Sequence, residues 1–222
     1  MKTRLITLAI MAFLVFSCKE NKSNNSTEKE ILTIGFINPM TGELATYGEA
    51  VKRGVDLALR EVNEKSLLDS GDLKIIMEDS KGETKTGITS LQKLINIDGA
   101  KYIIGGISSN VTLAMLPVTE KNEVFLFSPG AATPKLTNNG NLFARNWPSN
   151  NEEANSAADF SYNTLNYRKA SIVYVNNDWG LGLKENFENK FTSIGGEIDD
   201  KQIYSYGNKD FKTLLWIPSE EL

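Results

Sequence analysis

Gly105, Gly106, Ser108, Ser109 and Asn110 stand together at the end of a short apolar run, just ahead of a stretch with helical spacing. The first amides of a helix lack main-chain acceptors and favour a carboxylate or phosphate, and a serine hydroxyl adds a donor, so the cluster reads as an anion subsite. Equally, Ser109 or Asn110 can serve only to cap its helix. Ser128, Pro129, Gly130, Ala131 and Ala132 form a small-residue loop whose backbone can approach a ligand closely, or simply make a tight connection. Thr41, Gly42, Tyr47 and Gly48 present an aromatic just before a helix. Asp178, Trp179 and Gly180 put a second aromatic at another strand-to-helix turn. Facing aromatics make an apolar clamp, while a lone turn tryptophan also serves packing.

Composition removes most alternatives. The 222 residues contain no histidine and one cysteine, which excludes imidazole metal ligands, histidine-activated nucleophiles and an intramolecular disulfide. Asp56, Glu61, Asp69, Asp72, Glu78 and Asp79 read as an ordinary charged surface, so no catalytic residue is assigned. No glycine pattern forms a phosphate loop or dinucleotide fingerprint, and no cofactor or metal is expected. A formal charge of −4 without a basic stripe argues against a nucleic-acid partner.

These candidates need a scaffold, and the apolar periodicity supplies an α/β one. Strands are expected at Ile31–Ile37, Leu73–Met77, Tyr102–Ile104 and Val124–Phe127. Between them lie helices starting near Gly48, at Thr84–Asn96 and at Val111–Glu120. Three crossovers between four short strands imply a parallel sheet with helices on both faces, and ligand sites of such sheets lie beyond the carboxyl ends of the strands. Leu142, Phe143 and Ala144 suggest an edge strand. The grammar then restarts: a helix over Asn151–Leu165, a strand at Ser171–Val175, a helix over Gly182–Ile194, a strand at Ile198–Tyr204, and a helix capped by Asp210 with Phe211, Leu214 and Leu215. The expected organisation is a first lobe over 31–146 and a partial second lobe over 147–222, truncated relative to a complete protein, with solute binding weak or absent as a result.

The first thirty residues follow other rules. Lys2 and Arg4 precede the apolar run Leu5–Phe16, which is shorter than the about 20 residues a membrane span needs but fits a secretory signal over 1–17. Val15, Phe16, Ser17 and Cys18 resemble a bacterial lipobox, which makes Cys18 the expected lipidation site. The alternative is a plain N-terminal anchor with an incidental cysteine. Residues 18–30, rich in Asn, Ser, Lys and Glu, read as a tether.

Taken in order, Ile34–Gly42 with Tyr47 and Gly48, Ile104–Gly106 with Ser108 and Ser109, Ser128–Pro134, and Val173–Gly182 with Asp210 and Phe211 resemble the type I periplasmic solute-binding proteins of the branched-chain amino acid group. The resemblance covers about residues 31–215. It implies two lobes that close on a solute and present it to an ABC transporter permease, with the lipid on Cys18 holding the protein at a membrane of the bacterial envelope. It assigns the solute carboxylate, and part of the hold on the amino group, to Ser109 and the Gly130, Ala131 and Ala132 loop, next to Ser108, and packing from opposite lobes to Tyr47 and Trp179. Ala132 stands where amino acid binders usually carry Thr or Ser, which leaves room for another small organic acid or amide. A ligand-sensing receptor domain of the same fold is the alternative reading.

Overall fold

The structure, a computed structural model, describes residues 31–68 and 71–212. The expected signal peptide, Cys18, the tether and most of the helix expected after Asp210 lie outside them. From Ile31 onward the chain forms one compact unit holding two sheets.

The first sheet has the order β2-β1-β3-β4-β5, from β1 (Ile31–Asn38), β2 (Asp72–Asp79), β3 (Tyr102–Gly105), β4 (Phe125–Ser128) and β5 (Phe143–Arg145). Every pairing is parallel, with Ile34 opposite Tyr102 and Leu126 opposite Phe143 in register. Parallel neighbours need crossovers, supplied by α1 (Ala45–Glu64), α2 (Thr84–Asn96) and α3 (Ser109–Lys121). The chain moves one way from β1 to β2 and the other way from β2 to β3 to β4. Right-handed crossovers therefore put α1 on one face and α2 with α3 on the other. The core sits under α2 and α3, where Leu91, Leu94, Ile103, Val111, Met115 and Leu126 lose essentially all solvent contact. Each such side chain contributes about 1.5–3 kcal/mol.

Among the described residues the second sheet pairs only β6 (Lys169–Val175) with β7 (Glu197–Tyr204), again in parallel. It carries α4 (Asn150–Asp159), which continues as a π-helical turn over Phe160–Thr164, and the crossover helix α5 (Asp178–Ser193). Its core is small and aromatic. Phe191 is fully buried, stacks on Phe187 at 5.3 Å between centroids, and takes the edge of Tyr162 at 6.0 Å.

Strand positions agree with the periodicity, whereas helix starts differ. α1 begins at Ala45, so Tyr47 lies in its first turn rather than ahead of it. The cause is the turn at Gly42, whose carbonyl accepts from Ala45 N. α5 begins at Asp178 because the Asn177 side chain caps it, accepting from Gly180 N at 2.8 Å. Near the end of the described chain, Phe211 and Lys212 are not helical, and the Asp210 carboxylate accepts from Lys212 N at 3.0 Å.

Candidate functional site

The order 2-1-3-4-5 reverses direction at β1, so the loops after β1 and β3 part and leave a crevice at the carboxyl ends of the strands. The loop after β1 is rigidly built. Asn38 is fully buried, its Nδ2 donating to Gly48 O at 2.7 Å while its Oδ1 has no partner. Only glycine fits at 48, since a Cβ there would sit 1.9 Å from Pro39 O. From the end of β2, the Asp79 carboxylate accepts from Met40 N at 2.9 Å, Lys81 N at 2.8 Å and the Thr41 hydroxyl at 2.6 Å. Burial alone would raise the Asp79 pKa, but these hydrogen bonds outweigh it and hold the carboxyl below its usual range. Tyr47 is thereby presented at the crevice, 65% exposed.

The loops after β3 and β4 open on the same side and are stitched together. Gly106, at φ +72°, brings its carbonyl between two hydroxyls: Ser128 Oγ donates to it at 2.6 Å and Thr112 Oγ1 at 2.7 Å. Ser128 Oγ also accepts from Ala131 N at 3.1 Å. Ser109, 1% exposed, uses its Oγ to accept from both Ala132 N and Thr133 N at 3.2 Å. Ser109 is therefore the first residue of α3 and a brace for the second loop, not the helix cap. Ser108 holds the cap position without making a side-chain capping bond, and its buried Oγ has no partner.

Among the anion-subsite residues expected from sequence, the structure brings Ser108, Ser109, Gly130, Ala131 and Ala132 together. Ala131 and Ala132 have no accessible surface, and their amides are used inside the loop. Gly130 is half-buried, and a Cβ on it would lie 3.1 Å from Ile107 O, so the two loops touch there.

Trp179, 37% exposed, lines a groove of about 360 Å³ together with Ala154, Ile172, Tyr174, Leu183 and Phe187, all from its own lobe. Among the described residues β6 is paired on one edge only, and the ring covers part of the apolar recess left beside that strand.

Tyr206, which the sequence reading missed, is the aromatic that the second lobe brings near Tyr47. Burial raises its hydroxyl pKa, the Asn177 side chain hydrogen-bonds to it and lowers it, and Glu43 and Tyr47 of the first lobe act on it electrostatically. The neighbouring Gly207 passes so close to Glu43 that a Cβ would lie 2.8 Å from Glu43 Oε1. The only signal in the sequence was an aromatic directly before a Gly-Asn turn. Two further bonds join the lobes: Lys135 Nζ to Asp178 Oδ1 at 2.7 Å, and Asn150 N to Ala132 O at 2.8 Å. The partnership with Asp178 raises the Lys135 pKa. Among the described residues no cluster of acidic, Cys or His side chains is placed to hold a metal.

A five-stranded switch-point sheet leading into a second parallel pair narrows the choice of family, and residues 31–215 match the Periplasmic binding protein family. The chain belongs to that family. It is 30% identical over 186 residues to the Leu/Ile/Val-binding protein BraC3 of Rhizobium johnstonii, covering 82% of this chain and 50% of that one. A leucine-binding protein of Thermotoga maritima superposes with a TM-score of 0.77 at 25% identity, covering 82% of this chain and 51% of the other. A branched-chain amino acid substrate-binding protein of Streptococcus pneumoniae, solved with isoleucine, shares the fold with a TM-score of 0.76 at 24% identity, over 83% and 53%. The chain thus spans about half the length of the relatives it matches.

Proposed function

We propose that this chain belongs to the solute-capturing component of an ABC importer, acting outside the cytoplasm on an amino acid or a similar small carboxylate. The observation that carries the reading is the shared anchor at Ser109. One hydroxyl gathers the amides of Ala132 and Thr133 beside the start of α3, at the switch point of the sheet. With both amides bonded to its oxygen, the Ser109 hydroxyl turns its own proton outward as a donor to a carboxylate, and such a charge-assisted bond contributes about 1.5–3 kcal/mol. Ser108 and Gly130 flank that point, Tyr47 supplies the first-lobe wall, and Trp179 with Tyr206 supplies apolar surface from the second lobe.

Closure of the lobes over the solute raises the population that a permease recognises, with no bond in the solute made or broken. Lipidation at Cys18 would hold the complex at a membrane surface. A thermal-shift panel of branched-chain amino acids, small organic acids and the matching amides, run on a form that carries this chain with a complete second lobe, tests the reading. Saturable stabilisation by carboxylates without their consumption is expected. No shift with any of them would contradict it.

A further inference from the structure

Arg145 ends β5, where the chain leaves the first sheet for the second lobe. Among the described residues its guanidinium makes no ion pair within 4 Å, although Glu152 acts on it electrostatically. Nη1 donates to Ala131 O at 3.2 Å and to Thr133 O at 2.9 Å, and Nη2 donates to Thr137 Oγ1 at 3.1 Å. A half-buried cation is thus directed entirely at uncharged oxygens of the loop after β4.

The consequence follows from peptide geometry. Ala131 C=O and Ala132 N–H belong to one planar trans group and point in opposite directions. Holding the carbonyl on the Arg145 side turns the N–H toward Ser109 Oγ, where it is found at 3.2 Å. The next peptide is held in the same way from another quarter. Ala132 O accepts from Asn150 N, the first amide of α4, at 2.8 Å, and the Thr133 N–H on its other side meets the same Ser109 oxygen at 3.2 Å. Both donors at Ser109 are therefore aimed by groups flanking the connection between the lobes.

We propose that Arg145 is a positioning residue of the solute site, fixing the Ala131–Ala132 peptide so that its N–H meets Ser109 Oγ at the switch point. The assignment to a solute site rests on the function proposed above; the orientation of the peptide does not. A cation on the carbonyl also polarises the peptide and strengthens its N–H as a donor. Arginine suits the role because its planar fork holds both carbonyls through Nη1 while Nη2 fixes its angle on the Thr137 hydroxyl, which the point charge of lysine does not.

Residue-resolved amide hydrogen exchange on the full chain tests this, using Arg145→Ala, Arg145→Lys and Arg145→Gln so that one poorly folding variant does not decide the matter. Arg145→Ala should reduce protection of the Ala132 amide at least tenfold. Thr133, held through Asn150, should change several-fold less, and Ile103 and Leu126 in the core should not change. Arg145→Lys should recover part of the loss and Arg145→Gln less. Unchanged protection at Ala132, or an equal loss at Ile103 and Leu126, would overturn the proposal. Titrating the wild-type chain with acetate separates the two ideas. No response at Ala132 would count against the solute reading alone, while the exchange pattern still decides the role of Arg145.

Discussion

The two lobes are built on the same parallel grammar but hold their prospective ligand walls in different ways. In the first, a five-stranded sheet and a dry core support loops whose polar groups are bonded to one another: Asp79 to the loop after β1, Ser128 and Thr112 to Gly106, Ser109 to Ala132 and Thr133. In the second, two strands support aromatic side chains, Trp179 on its apolar groove and Tyr206 beside the Asn177 side chain. Directional donors for an anion need fixed positions, since a misplaced amide loses most of its bond. An apolar wall tolerates adjustment. The division suits a molecule that orients a carboxylate on one lobe and encloses it with the other.

The comparison breaks most readily on core truncation. Leu94→Ala, at a fully buried position of the first lobe, should cost roughly 3 kcal/mol in urea denaturation. Val173→Ala on β6, already 37% exposed, should cost under about 1 kcal/mol. Equal losses would mean that the second lobe is as well packed as the first. Next in size, Ser109→Ala leaves two buried amides without their acceptor and should destabilise by about 2 kcal/mol. A change within error would show that water replaces the hydroxyl and that the loop is not braced there.

Acid sharpens the contrast in a milder way. The hydrogen bonds to Asp79 depress its pKa below the usual 3.8. Its stabilising contribution is present above that value and is lost as pH falls through the lower folded value. Asp79→Asn should therefore flatten the acid limb of the stability profile below about pH 4. An unchanged limb would remove Asp79 as a brace of the loop after β1. Glu188 of the second lobe, hydrogen-bonded to Lys184 and Lys201, is depressed in the same direction and provides the parallel test there. The smallest effect belongs to the exposed Lys135–Asp178 pair between the lobes. Lys135→Ala should cost less than about 1 kcal/mol, an effect that added salt removes.

The strands, their parallel pairing and the loop cluster were readable because they depend on local patterns: apolar runs of strand length, and glycine with serine at strand ends. Helix starts were misjudged where a side chain decides them, as Asn177 does for α5. The orientation of Trp179 was beyond reach because it depends on which strand edge is covered, a tertiary fact that no spacing encodes. Tyr206 and Arg145 escaped for a related reason. Their partners, Glu43 and Asn177 for the first and the Ala131–Thr133 carbonyls for the second, are brought near by folding and leave no motif.

The central claim is that Ser109 and the amides it gathers form a carboxylate subsite. Calorimetric affinities for L-leucine and L-leucinamide, with and without Ser109→Ala in a form that carries a complete second lobe, test it most directly. The account predicts that wild type prefers the carboxylate by at least tenfold and that the substitution erases most of that preference. Equal affinity of the wild-type chain for acid and amide would contradict it.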